Sequence, residues 1–508
     1  MKKFIHHSMN LDDEEHIPIL LAEELTNPIP VAFETQEHIN EKKHQSKSFF
    51  HSCKNLISVA LFVAIYISPI LQLYPTEHTC IAIVVFIIFL WSTDSTYFYV
   101  SAYLIPILSV WLQVGYDRKS GTRIAATSLA QTFSFIYMSP EILSFLMTIT
   151  VFLAMDKLDI NYFITKKILR FLQKPNPSTL LFTIMILNLL LSAFLSPVAS
   201  TALILALTQP IIKSLDPSDS FSKALLIGIA WSGNCGFIPT IKMANTLPVS
   251  PLEYMIFSLP SSILLCIIES FYLVKAYKIK SNNFKLTKID KKGDWKIEGK
   301  EKWQFHHYLI IFIVILSFFL LSFSGECENI GHEGIICLIP VVLIFGSGIL
   351  TTNDFNSLSW STLSLAGGSI ALSETIKISG LFDFVFDNVF DTINDMGFSE
   401  FTMTVIFLFI VSIFASIFTD KMVIVHKLIS LWSGSTTAIA TSVLMVHVSQ
   451  LFVSSTFANI AVTSVINQET GEPIISGSEF VKKGLVTVLF AVAVLSTVGY
   501  VLVSSLGL

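Results

Sequence analysis

The stretch SAFLSPVAST, residues 192–201, places four hydroxyl side chains and a proline in the middle of a long apolar segment. Leucine-rich sequence precedes it and LILALTQPII follows it. Inside a bilayer each backbone N–H and C=O group needs a partner, so irregular backbone is tolerated only where protein or a watery cavity surrounds it. The stretch therefore predicts a helix break that lines such a site.

The composition of the whole chain indicates a polytopic membrane protein. The 508 residues are 53% hydrophobic and 14% charged, whereas a soluble domain carries roughly 25% charged residues. The six cysteines form no CxxC pair, and the sequence shows no nucleophile paired with a base and no glycine-rich nucleotide loop. We therefore expect no enzyme activity, no nucleic-acid partner and no cofactor apart from a coupling ion such as Na⁺.

The apolar segments predict an all-α inverted-repeat transporter with about 11 transmembrane helices and two re-entrant hairpins. The two hairpins are predicted where an apolar stretch is too long for one crossing and is broken in its middle. The predicted parts are a disordered cytosolic tail (1–50), a first transmembrane half (55–275) with a hairpin at 178–214, a basic cytosolic loop (276–304), and a second half (305–508) with a hairpin at 401–432.

Lysine and aspartate clusters predict the orientation of the chain. Residues 275–302 hold ten of the 32 Lys and Arg residues, and such loops stay in the cytosol. The basic amphipathic stretch 164–174 is expected at the same surface. The stretch 380–397 carries four aspartates and no basic residue, and the number of crossings puts it on the opposite side.

Three sequence elements recur in the same order. SPEILSFLMTITVFLAM begins at Ser139 and SWSTLSLAGGSIALSET at Ser359, while SAFLSPV begins at Ser192 and SIFASIF at Ser412. Further on, one stretch ends at Asn245 and a similar one at Asn459. The number of crossings predicts that the two halves have opposite orientations. Such inverted repeats are the layout of secondary transporters, whose substrate site lies at the interface of the repeats.

The two breaks supply the candidate site. Broken helices offer N-terminal N–H groups to anions, and unwound carbonyls and hydroxyls to Na⁺. For any single serine or threonine the alternative is a hydroxyl bonded to a carbonyl of its own helix. The substrate-binding candidates are Ser196, Pro197, Val198, Thr240, Ser416, Ile417, Phe418, Ser455 and Thr456. The Na⁺ candidates are Ser192, Ser196, Gly236, Ser412, Ser416 and Ser454, and further lining candidates are Ser232, Asn234, Thr419, Ser449 and Gln450.

Charged residues near the breaks leave the coupling ion open, because an ionisable group inside a membrane is a functional hypothesis by default. Lys242 could neutralise an anion. Asp420 and Lys421 could instead form an internal pair or reach the interface. His426 and His447 could carry coupled protons, since histidine titrates near physiological pH, or could be satisfied side chains of the bundle.

Several motifs resemble the divalent anion/sodium symporter family, and within it the fungal-type low-affinity phosphate carriers. The resemblance rests on FLWSTDSTYFYVSAYLIPIL (89–108), LLSAFLSPVAST (190–201), ALLIGIAWSGNCGFIPT (224–240), VSSTFANIAVTS (453–464) and the final FVKKGLVTVLFAVAVLSTVGYVL (480–502). It covers the membrane part from about residue 55 onward.

The resemblance implies Na⁺-coupled uptake of an inorganic or dicarboxylate anion by an elevator-type homodimer in a plasma or vacuolar-type membrane. The family signature at each hairpin tip is Ser-Asn-Thr, whereas the tips here read Ser196-Pro197-Val198 and Ser416-Ile417-Phe418. Phosphate is the expected substrate. Sulfate or dicarboxylate transport by the same fold, and a membrane receptor that no longer transports, are the alternatives.

Overall fold

The apolar segments form helices, several of which start at proline, a residue that the first helical turn accommodates. A computed structural model of the chain describes residues 53–118, 120–171, 176–194, 197–215, 219–239, 247, 249–279, 303–322, 333–419, 421–432, 436–467 and 473–506. The predicted tail at 1–50 and most of the predicted loop at 276–304 lie outside these residues. Lys54–Leu508 is one compact unit.

The helices of the first part of the chain are joined by short turns and one small β-hairpin. In that hairpin β1 (Tyr116–Asp117) pairs antiparallel with β2 (Thr122–Arg123). The helices are α1 (Cys53–Ile67), α2 (Pro75–Thr93), α3 (Phe98–Trp111), α4 (Ala126–Ile136), α5 (Pro140–Lys157), α6 (Ile160–Phe171), α7 (Pro177–Phe194), α8 (Pro197–Ser214), α9 (Ser220–Phe237) and α10 (Pro251–Ala276).

The second part is helical as well, with a 3₁₀ turn at Val453–Ser455 and a π-helical turn at Leu495–Gly499. Its helices are α11 (Phe305–Ser322), α12 (Glu333–Gly346), α13 (Thr352–Asn356), α14 (Trp360–Ile378), α15 (Leu381–Asp395), α16 (Glu400–Ala415), α17 (Lys421–Leu431), α18 (Thr436–Val448), α19 (Phe457–Val462), α20 (Gly477–Val494) and α21 (Tyr500–Ser505).

Each predicted hairpin stretch is divided into two helices. In the first, α7 ends at Phe194 and α8 begins at Pro197, where proline tolerates the loss of an N–H partner. In the second, α16 ends at Ala415 and α17 begins at Lys421. Re-entry into the membrane from one side stays a prediction for both.

The order of helices repeats along the chain. Helices α5 to α9 follow one another as a long helix, an amphipathic helix, two hairpin helices and a final helix, and α14 to α18 follow the same order. The starts of α5 and α14, at Pro140 and Trp360, reproduce the spacing seen in the sequence. The opposite orientation of the two copies remains a prediction.

Helix α9 differs in detail from the predicted broken helix at 232–240. The helix continues through Gly233 and Gly236 and ends at Phe237. The glycines permit close packing instead, because a Cβ atom on Gly236 would lie 2.2 Å from the carbonyl oxygen of Leu189. In this stretch the helix ends after its glycines, and the first-hairpin helix α7 packs against them.

Among the described residues, four helical spans are long and apolar enough to cross a membrane. They are Pro75–Thr93, Ala126–Lys157, Leu252–Ala276 and Gly477–Ser505, and eight shorter apolar helices accompany them. A bilayer core requires about 20 apolar residues per simple crossing. These spans make the chain an integral multi-pass membrane protein, while the expected number of about 11 crossings stays a prediction.

The start of α20 is fixed to the end of α2. The Asp94 carboxylate accepts hydrogen bonds from the backbone N–H groups of Gly477, at 2.6 Å, and Ser478, at 3.2 Å. A Cβ atom on Gly477 would lie 1.9 Å from the carbonyl oxygen of Trp91. Glycine at this position therefore permits a contact that any other residue would prevent.

Candidate functional site

Asn234 near the end of α9 joins the two halves of the chain. Its side-chain nitrogen donates to Oε1 of Gln450 at 2.7 Å and to Oδ1 of Asn459 at 3.1 Å. Asn234 is buried, and Gln450 and Asn459 are 0% exposed. A buried amide costs free energy unless it is hydrogen-bonded. Asn234 meets this need by donating to the two other amides, and we call the three residues the amide joint.

The segment between α18 and α19, which includes the 3₁₀ turn at Val453–Ser455, is folded around Asn459. The Asn459 side chain donates to Oγ of Ser455 at 2.9 Å and to the carbonyl oxygen of Phe452 at 3.1 Å. Its backbone N–H donates to Oγ1 of Thr456 at 3.1 Å, which caps α19. The candidates Ser455 and Thr456 therefore lie directly beside the amide joint.

A buried carboxyl group that the sequence analysis did not select borders the same joint. Glu269 of α10 is 1% exposed. Its Oε1 accepts from Nε2 of Gln450 at 3.1 Å, and its Oε2 accepts from Sγ of Cys235 at 3.5 Å. The signal in the sequence was a carboxylate in the interior of the 26-residue helix α10, whose other carboxylate, Glu253, lies in the first turn. An ionisable group inside a membrane segment often marks function.

The first hairpin contacts α9 beside the joint. Ser192 donates from Oγ to the carbonyl oxygen of Gly233 at 2.6 Å. Asn188 donates to the carbonyl oxygen of Ile229 at 2.6 Å. Pro197 and Val198 are half-buried at the start of α8. The candidates Ser196 and Thr240 lie outside the described residues.

The second hairpin contacts the segment between α18 and α19, as the first hairpin contacts α9. Ser416 accepts at Oγ from the backbone N–H of Leu451 at 3.2 Å and donates to the carbonyl oxygen of Ser412 at 2.7 Å. Thr419 donates to the carbonyl oxygen of Ser454 at 2.8 Å. The tip of this hairpin therefore lies against the segment that carries Gln450.

Two other candidates of the second hairpin have different surroundings. Phe418 is fully buried, with its ring centroid 5.2 Å from that of Phe382, and Ile417 is half-buried. Ser412 donates from Oγ to the carbonyl oxygen of Phe409 at 2.6 Å. Phe418 thus makes an apolar contact with α15, and Ser412 shows the local hydroxyl-to-helix bond that such a residue often adopts.

The charged residues near the breaks differ in how deeply they are buried. His447 is 3% exposed, with its ring centroid 5.0 Å from that of Phe237. His426 is exposed on α17. Lys421 is 7% exposed. Lys242 and Asp420 lie outside the described residues.

A cavity of about 220 Å³ lies against the residues that follow Asn459 in the chain. It is bounded by α5, α8, the turn at 357–359, residues 461–467 and Ile474. Its polar residues include Gln209, Lys213 and Ser464. Lys213 pairs with Asp156 at 3.2 Å. Ala461 lines the cavity two residues after Asn459, so this space adjoins the site.

Comparison with known proteins places the chain among transporters. Residues 63–458 match the family model described as citrate transporter. The chain is 26% identical to an uncharacterized transporter of Schizosaccharomyces pombe over 91% of its own length and 54% of that protein. It is also 26% identical to the inorganic phosphate transporter PHO87 of Saccharomyces cerevisiae, over 85% of the chain and 47% of that protein.

A third relative points in the same direction. The low-affinity phosphate transporter PHO90 of Saccharomyces cerevisiae is 26% identical over 84% of the chain and 49% of its own length. The chain spans about half the length of these curated relatives. The resemblance to low-affinity phosphate carriers is thereby confirmed, and since the family model covers most of the sequence, this chain belongs to the citrate transporter (CitMHS) family.

Proposed function

We propose that the protein is a secondary active carrier of an inorganic anion, with phosphate as the substrate and Na⁺ as the driving ion. The observation that carries this proposal is the amide joint, where the ends of α9 and α18 and the start of α19 meet. Transporters built from repeats hold their substrate at such a junction. The family membership and the names of the two yeast relatives support an anion as the substrate.

The side chains around the joint suit an oxyanion. Amide nitrogens and hydroxyl groups donate hydrogen bonds, and a phosphate presents acceptor oxygens on every side. Asn234, Asn459 and Ser455 are neutral, so they can exchange their bonds to one another for bonds to an anion without leaving a buried charge. Opening of the joint would present these donors to the substrate.

Oxygen atoms within the first hairpin support Na⁺ as the coupling ion. Oδ1 of Asn188 and Oγ1 of Thr201 are buried and have no hydrogen-bond partner. Thr201 Oγ1 packs against α9, because it lies 2.3 Å from the position that a Cβ atom on Gly233 would occupy. Buried polar atoms without partners are rare and call for an explanation such as an ion.

Citrate or another carboxylate is the second candidate substrate, because the matching family model carries the description citrate transporter. A carboxylate offers oxygens to the same donors. The elevator motion and the homodimer that the sequence resemblance implies are part of our proposal for either substrate. Plasma or vacuolar-type membranes are the proposed location.

Uptake by proteoliposomes tests the proposal. The purified chain would be supplied separately with labelled phosphate, sulfate and citrate under an inward Na⁺ gradient, and the control gradient would use choline at constant pH. We expect Na⁺-dependent phosphate accumulation. Accumulation of citrate in place of phosphate would select the second candidate. A response to a pH gradient alone would replace Na⁺ by protons, and no uptake of any anion would favour a receptor.

A further inference from the structure

The ammonium group of Lys421 lies inside the second half of the molecule. Lys421 is the first residue of α17 and is 7% exposed. Its Nζ donates a hydrogen bond to the carbonyl oxygen of Ala415, and another to the carbonyl oxygen of Ser449 at 3.2 Å. Ala415 is the last residue of α16, and Ser449 directly follows the end of α18. The ammonium therefore lies where two helices end.

Two helix C-termini form a site for a cation. The last carbonyl groups of a helix have no partner within it and carry the negative end of the helix dipole. In transporters with broken helices, such ends and the adjacent unwound carbonyls coordinate the coupling cation. The start of a helix, in contrast, disfavours positive charge. The carbonyls of Ala415 and Ser449 thus account for the position of Lys421, whereas its own helix does not.

The first half has the same order of helices without this charge. At the spacing that separates Ser192 from Ser412, the counterpart of Lys421 is Thr201, whose side chain is uncharged. Oγ1 of Thr201 and Oδ1 of Asn188 are buried without hydrogen-bond partners. In the first half oxygen atoms are left for a mobile ion, while in the second half the side chain of Lys421 binds the carbonyls.

We propose that Lys421 is a tethered cation that takes the place of a coupling sodium ion in the second half, so that a mobile Na⁺ binds in the first half alone. The inference rests on the proposed function, in which Na⁺ drives the transport of an anion. It revises the sequence expectation that Ser412, Ser416 and Ser454 help to hold a second Na⁺. The fixed charge stays with the protein throughout the transport cycle.

Counting bound Na⁺ tests this without any use of the substrate. Radioactive sodium binding to the purified, detergent-solubilised chain would be measured against choline, together with the dependence of the unfolding temperature on Na⁺. We expect one Na⁺ per wild-type chain and a Hill coefficient near one. In Lys421→Ala the carbonyls of Ala415 and Ser449 become free, and we expect a second Na⁺ and a steeper dependence.

Two further variants make the result specific. Lys421→Met fills the same space without charge, so it should still bind one Na⁺. Lys427→Ala removes a lysine from the same helix, where its ammonium pairs with Asp383 at 3.1 Å and Asp387 at 2.8 Å. That matched control should leave the Na⁺ count at one.

Distinct results would overturn the tethered cation and the proposed function. Two Na⁺ bound to the wild-type chain would refute the role of Lys421 even if Lys421→Ala failed to fold. An unchanged count in a folded Lys421→Ala protein would refute it as well. Phosphate uptake is a separate measurement, so its absence together with a count that rises from one to two would sink the proposed function and leave the tethered cation standing.

Discussion

Nδ2 of Asn234 lies 2.7 Å from Oε1 of Gln450, although the two residues are 216 positions apart in the chain. One belongs to α9 in the first half and the other follows α18 in the second. Asn459 accepts from the same nitrogen at 3.1 Å. The two halves therefore meet through hydrogen bonds between uncharged side chains, and several consequences can be measured.

Asn234→Ala should impair both folding and transport. The substitution removes the donor and leaves the buried oxygens of Gln450 and Asn459 without this partner, at a cost of about 1–3 kcal/mol. We expect a lower unfolding temperature in detergent and roughly tenfold slower phosphate uptake. Ser430→Ala serves as the control, because the Ser430 hydroxyl is exposed and bonds only locally to the Lys427 carbonyl. Equal uptake by both variants would argue against a role for the joint.

Glu269→Gln should disturb the joint through Gln450. The carboxyl oxygens of Glu269 accept from Gln450 and Cys235, whereas a glutamine at 269 would direct a donor group at one of them. An unmatched buried polar group costs about 1–3 kcal/mol. We predict reduced thermal stability and reduced uptake.

The matched control for that carboxyl is Glu253→Gln on the same helix. Glu253 lies at the exposed start of α10, where it forms a capping box with Ser250. It is not one of the residues that border the amide joint. Glutamine is also accepted at this position of a capping box, so Glu253→Gln should have little effect on stability and should leave the substrate affinity unchanged. Equal changes in the KM for phosphate in both variants would contradict a specific effect of Glu269.

Gly236→Ala should destabilise the contact between α9 and the first hairpin. The added methyl group would lie 2.2 Å from the carbonyl oxygen of Leu189 and 2.6 Å from Cβ of Ser192. Overpacking of this kind typically costs about 1–3 kcal/mol, visible as a lower unfolding temperature. Gly346→Ala is the control, since a Cβ atom there meets nothing within 4 Å. A Gly236→Ala protein as stable as Gly346→Ala would show that α9 can move away from α7.

Ser416→Ala should weaken the contact between the second hairpin and the segment after α18. It removes the acceptor of the Leu451 N–H group, which is 3.2 Å from Oγ. The loss of one such hydrogen bond is worth about 0.5–1.5 kcal/mol. We expect faster hydrogen exchange of the Leu451 amide, measured by mass spectrometry. Unchanged exchange at Leu451 would mean that Oγ of Ser416 does not hold the segment.

The ion pair between Lys157 and Asp354 predicts a pH effect at the end of α5. Nζ of Lys157 lies 2.5 Å from Oδ2 of Asp354. This contact, with further hydrogen bonds from Thr351, lowers the pKa of Asp354 from 3.8 to about 2. A lowered pKa in the folded state stabilises the fold above pH 3.8, and this contribution is lost as the pH falls through about 2.

Thermal unfolding of the wild type and of Asp354→Asn measures that effect. The difference in unfolding temperature should be constant near neutral pH and should shrink as the pH falls from about 4 towards 2. The difference should stay small because the pair lies near the surface. The difference in unfolding temperature between the wild type and Lys157→Met should shrink over the same pH range. A difference in unfolding temperature that grows at low pH would contradict the lowered pKa of Asp354.

The helix break in 178–214 could be predicted from the sequence, because hydroxyl residues and a proline within an apolar run have few structural explanations. The stretch 401–432 has no proline, and its division was predicted from its length and from the serines that it shares with the first stretch. The helix predicted to break within 232–240 ends at Phe237, after its glycines, which permit close packing. Gly236 faces the carbonyl of Leu189 within a continuous helix.

The partners across the site could not be predicted. The contact between Asn234 and Gln450 depends on how the two halves pack, and residue type alone does not specify which amide meets which. For Lys421 the sequence left an internal pair and the interface open, because its contact with the carbonyls of Ala415 and Ser449 depends on where α16 and α18 end. Glu269 was not among the candidates, and its place in the site becomes clear only beside Gln450.

The amide joint has a consequence for the evolution of the chain. Because Asn234 bonds to both Gln450 and Asn459, a substitution at Asn234 removes a donor from two buried acceptors in the other half. Selection at position 234 is therefore coupled to selection at positions 450 and 459, so descendants of this sequence should inherit their amides as matched sets.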